Sequence, residues 1–131
     1  MPSLELHCDL SISKEQLFAS WVNQYQQGAI TQALAKIEPE VNGVVELWNA
    51  AVTGRILRLE ANRRISMTWR TVEFSADQAD TLLTLSFEDR PKGCRLLVHH
   101  ENISFEHLPQ FRFAWEEVYF PQLRNYFLHF R

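Results

Sequence analysis

Residues 105–130 read FEHLPQFRFAWEEVYFPQLRNYFLHF, and nine of the chain's 16 aromatic side chains fall within them. At 100° per residue, Leu108, Phe111, Trp115, Val118, Tyr119, Gln122 and Tyr126 share one stripe. A helix carrying that stripe has to lie against a large apolar surface. Pro121 sits inside it. Proline offers no backbone N–H and crowds the carbonyl four residues back, so a kink near Glu117 is expected. On the side away from Trp115, Phe113, Phe120 and Phe127 recur every seven residues. On a regular helix they form an exposed aromatic ridge, which either marks an interface, here a homodimer, or is covered through the Pro121 kink or by the preceding segment.

The surface that covers the stripe is read from the middle of the chain. Val44–Trp48 is a short strand and 49–51 a turn. Val52–Glu60 is a strand whose alternation slips between Ile56 and Leu57, with Gly54 inside it, which points to a bulge or bend. Asn62-Arg63-Arg64 turns the chain. Ile65, Met67 and Trp69 then alternate with Ser66, Thr68 and Arg70, and Leu83, Leu85 and Phe87 with Thr84 and Ser86. Between them lies a polar loop near Asp77. Arg90-Pro91-Lys92-Gly93 is a tight turn in which proline sets an early φ and glycine permits a positive one. Cys94, Leu96, Val98 and His100 continue the inward face.

At the N-terminus, Leu4, Leu6, Cys8, Leu10 and Ile12 alternate with Glu5, His7, Asp9 and Ser11, a strand with one buried face. Ser13-Lys14-Glu15-Gln16 is a capping-box pattern that opens a helix turning Leu17, Phe18, Trp21 and Val22 inward. Gly28 is its expected stop, with a second short helix from Ile30 to Leu34. The order is one strand, one or two short helices, about six hairpin strands and a long final helix. This is an α+β domain in which a curved antiparallel sheet of six or seven strands wraps the last helix, leaving an apolar cleft suited to small ligands.

The chain has 131 residues, one domain's worth, with 46% hydrophobic and 22% charged residues. Four glycines and five prolines are too few for a disordered chain. No apolar run reaches the roughly 18–20 residues of a membrane span. The N-terminus lacks the basic start of a secretory signal, so a cytoplasmic protein is expected. The net charge of -3 offers no general attraction to nucleic acid or anionic lipid. Cys8 and Cys94 fall on inward strand positions as small apolar filler. Cys8 and Cys94 have no zinc-type spacing with one another or with histidine, and His7, His107 and His129 are scattered, so no metal or cofactor is assigned.

This order and its local motifs resemble the helix-grip fold of the START/Bet v allergen-like (SRPBCC) superfamily. Within it they resemble the branch similar to the C-terminal domain of the Hsp-90 ATPase activator. The resemblance rests on Glu15-Gln16-Leu17-Phe18 with Trp21, on Asn42-Gly43-Val44-Val45-Glu46-Leu47 and on Val52-Thr53-Gly54-Arg55-Ile56. It continues in Ile65-Ser66-Met67-Thr68-Trp69-Arg70, in Thr81-Leu82-Leu83-Thr84-Leu85-Ser86-Phe87, and in Ala114-Trp115 with Tyr119-Phe120-Pro121-Gln122-Leu123. The chain departs from the pattern at Asn42, Ala114 and Pro121. The resemblance implies a stand-alone domain of the type common in bacteria, and with it contact with a chaperone ATPase.

Candidate residues follow. Met67, Trp69, Phe87, His100, Phe111, Trp115 and Tyr119 face the cleft, either as core or as the wall of a ligand cavity. His100 is the titratable group of most interest among them, able as a neutral imidazole to hydrogen-bond a ligand or to be satisfied by the protein itself. Arg55, Arg58, Arg63, Arg64 and Arg70 form a basic zone against Glu60, a solvated hairpin or a dock for an acidic partner. Arg55 and Arg58 with Phe113, Phe120 and Phe127 are the candidate partner surface. A nucleic-acid surface would interleave such charge with exposed aromatics, which are absent. No nucleophile–base pair, P-loop or dinucleotide fingerprint is present, so no catalytic residue is assigned. Three readings stand: a hydrophobic-ligand binder, a co-chaperone-like interaction module, and a cyclase- or hydrolase-type enzyme. Cleft volume separates the first two: a void above about 300 Å³ favours a ligand and a filled interior favours a partner.

Overall fold

The computed structural model describes residues 2–128. His129 and Phe130 lie outside the described residues. Seven strands, Leu4–Leu10 (β1), Lys36–Ile37 (β2), Val44–Leu47 (β3), Val52–Glu60 (β4), Arg64–Thr71 (β5), Thr81–Arg90 (β6) and Gly93–Glu101 (β7), form one antiparallel sheet. Their order is β1-β7-β6-β5-β4-β3-β2. The first strand thus pairs with the last, and two short helices carry the chain from one edge of the sheet to the other.

Those helices are Lys14–Trp21 (α1) and Gln24–Thr31 (α2). Ser13 caps α1 as its pattern predicts, its hydroxyl accepting from the Gln16 N–H at 3.0 Å. The second helix corrects the sequence reading. Asn23 Oδ1 accepts from the N–H groups of Tyr25 and Gln26, starting a helix well before Ile30. Gly28 lies inside that helix, which instead ends at Gln32 in a left-handed conformation, φ 56°.

Strand β4 bulges between Ile56 and Arg58, so Leu57 is squeezed out to solvent. Gly54 serves a different purpose: a Cβ there would drive into the Thr68 carbonyl of β5. Strand β3 stops at Leu47, one residue short of expectation. Trp48, Asn49 and Ala50 follow with φ of 52°, 57° and 66°, a short left-handed turn that sends the chain back into β4.

The final helical rod contains the main surprise. It runs from a 3-10 turn, Phe105–His107, through Leu108–Phe113 (α3) and a π-helical segment, Ala114–Tyr119, to Phe120–Phe127 (α4). The Phe120 N–H donates to the Trp115 carbonyl, five residues back. Pro121 follows immediately, so the wide turn ends where proline offers no donor. A regular helix would place Phe120 and Phe127 about 140° and 120° round from Trp115, away from the core. The extra residue in the wide turn brings both back, and they are buried with Phe111, Trp115, Tyr119 and Leu123. The expected ridge of Phe113, Phe120 and Phe127 therefore does not exist; Phe113 alone of the three is exposed. The expected kink near Glu117 is a re-phasing of the helix.

Candidate functional site

Met67, Trp69, Phe87, His100, Phe111, Trp115 and Tyr119 are all buried. Five of them meet. Trp69 of β5 stacks on Trp115 of the rod, centroids 5.5 Å apart and planes at 29°. His100 of β7 stands edge-on to both, and 4.6 Å from the Phe111 ring. Tyr119 meets Trp115 edge-on at 5.6 Å. Phe87 does not join them; it lies six residues along β6 from Thr81 and packs on Phe18 of α1. Met67 is buried in mid-sheet, in register with Ile56 and Leu83.

His100 is fully satisfied by the protein. Trp115 Nε1–H donates to its Nδ1 at 3.1 Å. The proton therefore sits on Nε2, which is 2.7 Å from Thr81 Oγ1, and that hydroxyl donates onward to the Trp69 carbonyl at 2.7 Å. Burial, with a smaller contribution from neighbouring His99, lowers its pKa from 6.5 to about 3. A neutral imidazole with both nitrogens committed has nothing left for a guest. Thr81, which sequence reading missed, earns its inward position by closing this chain.

A second buried chain joins the rod to α2. Tyr119 Oη donates to Gln27 Oε1 at 2.9 Å, and Gln27 Nε2 donates to the Trp21 carbonyl at 3.1 Å. Burial pushes the Tyr119 phenol above its ordinary range. Gln27 was unmarked in the sequence, since a lone glutamine in a polar stretch gives no sign of facing inward.

Among the described residues, the clefts between sheet and rod are small. One cleft of about 60 Å³ is bounded by Trp48, Trp69, Trp115 and Tyr119, and another of about 100 Å³ by Phe74, His107 and Gln110. They share Thr71, Phe111 and Ala114 as walls. Phe74, also missed, plugs the second by stacking flat on His107 at 5.3 Å. Pockets for drug-sized ligands hold about 300–1,000 Å³.

The basic zone divides. Arg55 donates to the Asn42 carbonyl, and Arg70 binds the carbonyls of Ser75 and Gln78 and pairs with Asp80 at 3.1 Å, holding the loop after β5. Arg58, Arg63 and Arg64 instead gather around Glu60 at 3.1, 3.6 and 3.9 Å. Arg58 and Arg64 border a trough of about 600 Å³ on the outer face of the sheet, the side away from the rod. It is much larger than either inner cleft. Among the described residues, no group of three or more His, Cys, Asp or Glu is placed to hold a metal ion. No helix there is long and apolar enough to cross a membrane.

A curved antiparallel sheet closed on a C-terminal aromatic rod defines a helix-grip domain. Residues 11–127 match the family described as "Activator of Hsp90 ATPase homolog 1-like protein", and the chain belongs to that family. Solved structures agree in fold. An HSP90 activator from Plasmodium falciparum superposes with a TM-score of 0.81 at 18% identity, over 92% of each chain. The Aha1 dimer from Colwellia psychrerythraea gives 0.81 at 11% identity, over 95% of each. An uncharacterised protein of Schizosaccharomyces pombe is 29% identical over 80 residues, 53% of this chain; the match spans only 24% of that protein's length.

Proposed function

We propose that this chain is a partner-binding domain of the co-chaperone kind, acting through its surface on a chaperone ATPase. One observation carries the reading: among the described residues the grip is filled by its own side chains, leaving clefts of about 60 and 100 Å³ where a ligand needs several hundred. The hydrophobic-ligand reading requires Trp48 or Phe74 to move aside first. Family membership supports the same direction, since a structural neighbour is an HSP90 activator. Among the described residues, the buried polar side chains of the grip are committed to one another: His100 is neutral and bonded to Thr81 and Trp115, and Tyr119 is bonded to Gln27.

The test adds the purified chain to the Hsp90-type chaperone of its own cells and follows ATP hydrolysis. A saturable rise in rate is the expected result. No change in rate, together with native mass spectrometry of the purified protein showing a stoichiometric small hydrophobic molecule, would overturn the reading in favour of the ligand.

A further inference from the structure

The trough on the outer face is built from two rows of side chains, one crossing five strands and the other four. In the first row, strand register sets Arg58 opposite Ser66, Ser66 opposite Thr84, and Thr84 opposite His99, with Glu5 beyond. In the second, Arg64 stands opposite Ser86, Ser86 opposite Leu97, and Leu97 opposite His7. Directly opposed residues share a face, so each row is continuous. The floor is hydroxyl-rich, with Ser66 Oγ 3.3 Å from Thr84 Oγ1 and with Leu6, Leu97 and Val98 as its apolar members.

Charge is concentrated at one bank. Three guanidiniums, of Arg58, Arg63 and Arg64, share the single carboxylate of Glu60, which leaves two positive charges over. This stands out on a chain of net charge -3. Asp9, next along β1, does not offset them: Arg95 holds it in a two-pronged pair at 2.7 and 3.0 Å. Among the described residues, Glu5 is the one carboxylate that lines the trough, at the far end from the arginines. Five strands spaced about 4.8 Å apart make the trough about 19 Å across. An extended peptide covers that distance in about six residues. The hydroxyls and imidazoles of the floor suit carboxylates and main-chain amides.

We propose that this trough receives an extended acidic segment of a partner protein, its carboxylates anchored by Arg58 and Arg64 and its main chain lying over Ser66, Thr84 and Ser86. The proposal rests on the partner-binding reading above and adds to it the place of contact and the chemistry of the partner. Its features are positive charge, hydroxyl donors and length, which together favour a peptide over a compact anion.

The full chain, labelled with nitrogen-15, is titrated with a capped synthetic peptide of alternating glutamate and alanine, about eight residues long. Saturable shifts are expected at the amides of Ser66, Thr84, Ser86 and His99, with Phe111 and Trp115 unmoved. Binding weakens about tenfold in the R58Q/R64Q variant and falls as salt is raised. The glutamine analogue of the peptide, tested on the unaltered chain, is expected not to bind. Equal binding of that analogue, shifts on the rod in place of the sheet, or the same shifts from inorganic phosphate alone would each overturn the proposal. Two failures are told apart by the chaperone assay. If R58Q/R64Q stimulates the ATPase as well as the unaltered chain does, the trough is wrong and the partner reading stands. If neither stimulates it, that reading fails whatever the peptide does.

Discussion

The imidazole of His100 is held by two hydrogen bonds that fix its tautomer, and together they require a neutral ring with its proton on Nε2. Trp115 Nε1–H must find a lone pair at Nδ1. Protonating Nδ1 would set two donors against each other inside a dry core. This is why the folded chain resists the proton down to about pH 3, while the unfolded chain takes it up at the ordinary 6.5. The resulting contribution to stability is complete above pH 6.5 and drains away as pH falls toward 3, by up to about 1.4 kcal/mol per pH unit. His100→Gln keeps an acceptor and a donor but cannot ionise. It should cost about 1–3 kcal/mol at pH 7, and in urea unfolding curves the gap to the unaltered chain should shrink at pH 6 and 5 and close or reverse by pH 4. A gap that stays constant over that range contradicts the neutral buried ring.

At the scale of the element, the wide turn of the rod reconciles two demands. Proline at 121 crowds the carbonyl four residues back, and the aromatic side chains beyond it have to return to the core. One additional residue in the turn does both, by opening the ladder before Pro121 and rotating α4 by about 100°. Phe120→Ala should therefore cost about 3–5 kcal/mol, as deletion of a buried aromatic does. Phe113→Ala, seven residues earlier and exposed, should change stability by less than about 0.5 kcal/mol. Chemical denaturation of the two variants decides it; equal losses would mean a regular helix. Removing the exposed Glu117 gives a regular helix in which Tyr119, Phe120, Leu123 and Phe127 all stay within about 60° of Trp115. That deletion should keep the helical circular dichroism and a cooperative unfolding transition. Loss of the fold would show that the width of the turn, and not just its phase, is required. The same reasoning explains what the sequence discloses. Strand faces at Leu4–Leu10 or Ile65–Trp69 are legible because the pleat alone sets a period of two. The phase beyond Trp115 is not, because a stripe drawn at 100° per residue assumes the very turn that α4 departs from.

For the whole molecule, the sequence discloses which side chains meet inside the grip but not how much room they leave. Trp69 and Trp115 face each other as their positions predict. The free volume, by contrast, is a small difference between two large quantities, the space a curved sheet encloses and the bulk of the aromatics filling it. Phe74 and Trp48 decide that difference, and both come from turns whose course no periodicity records. Closure also depends on the union of β1 with β7, which are farthest apart in the chain and adjacent in the sheet. Cys8 and Cys94 report on it. Both thiols are free and buried on these neighbouring strands, and burial pushes each up to about 11, so little thiolate forms near neutral pH. All seven residues of β1 pair with β7, and its inward side chains Leu4, Leu6, Cys8 and Leu10 belong to the common core. Strand β1 should then leave the sheet only when the domain unfolds as a whole. An aromatic disulfide reagent should modify Cys8 and Cys94 at one rate, and that rate should rise with urea along the slope of global unfolding. Faster modification of Cys8, with a weak dependence on urea, would mean that the first strand peels away by itself and that the grip is held by β2 to β7 alone.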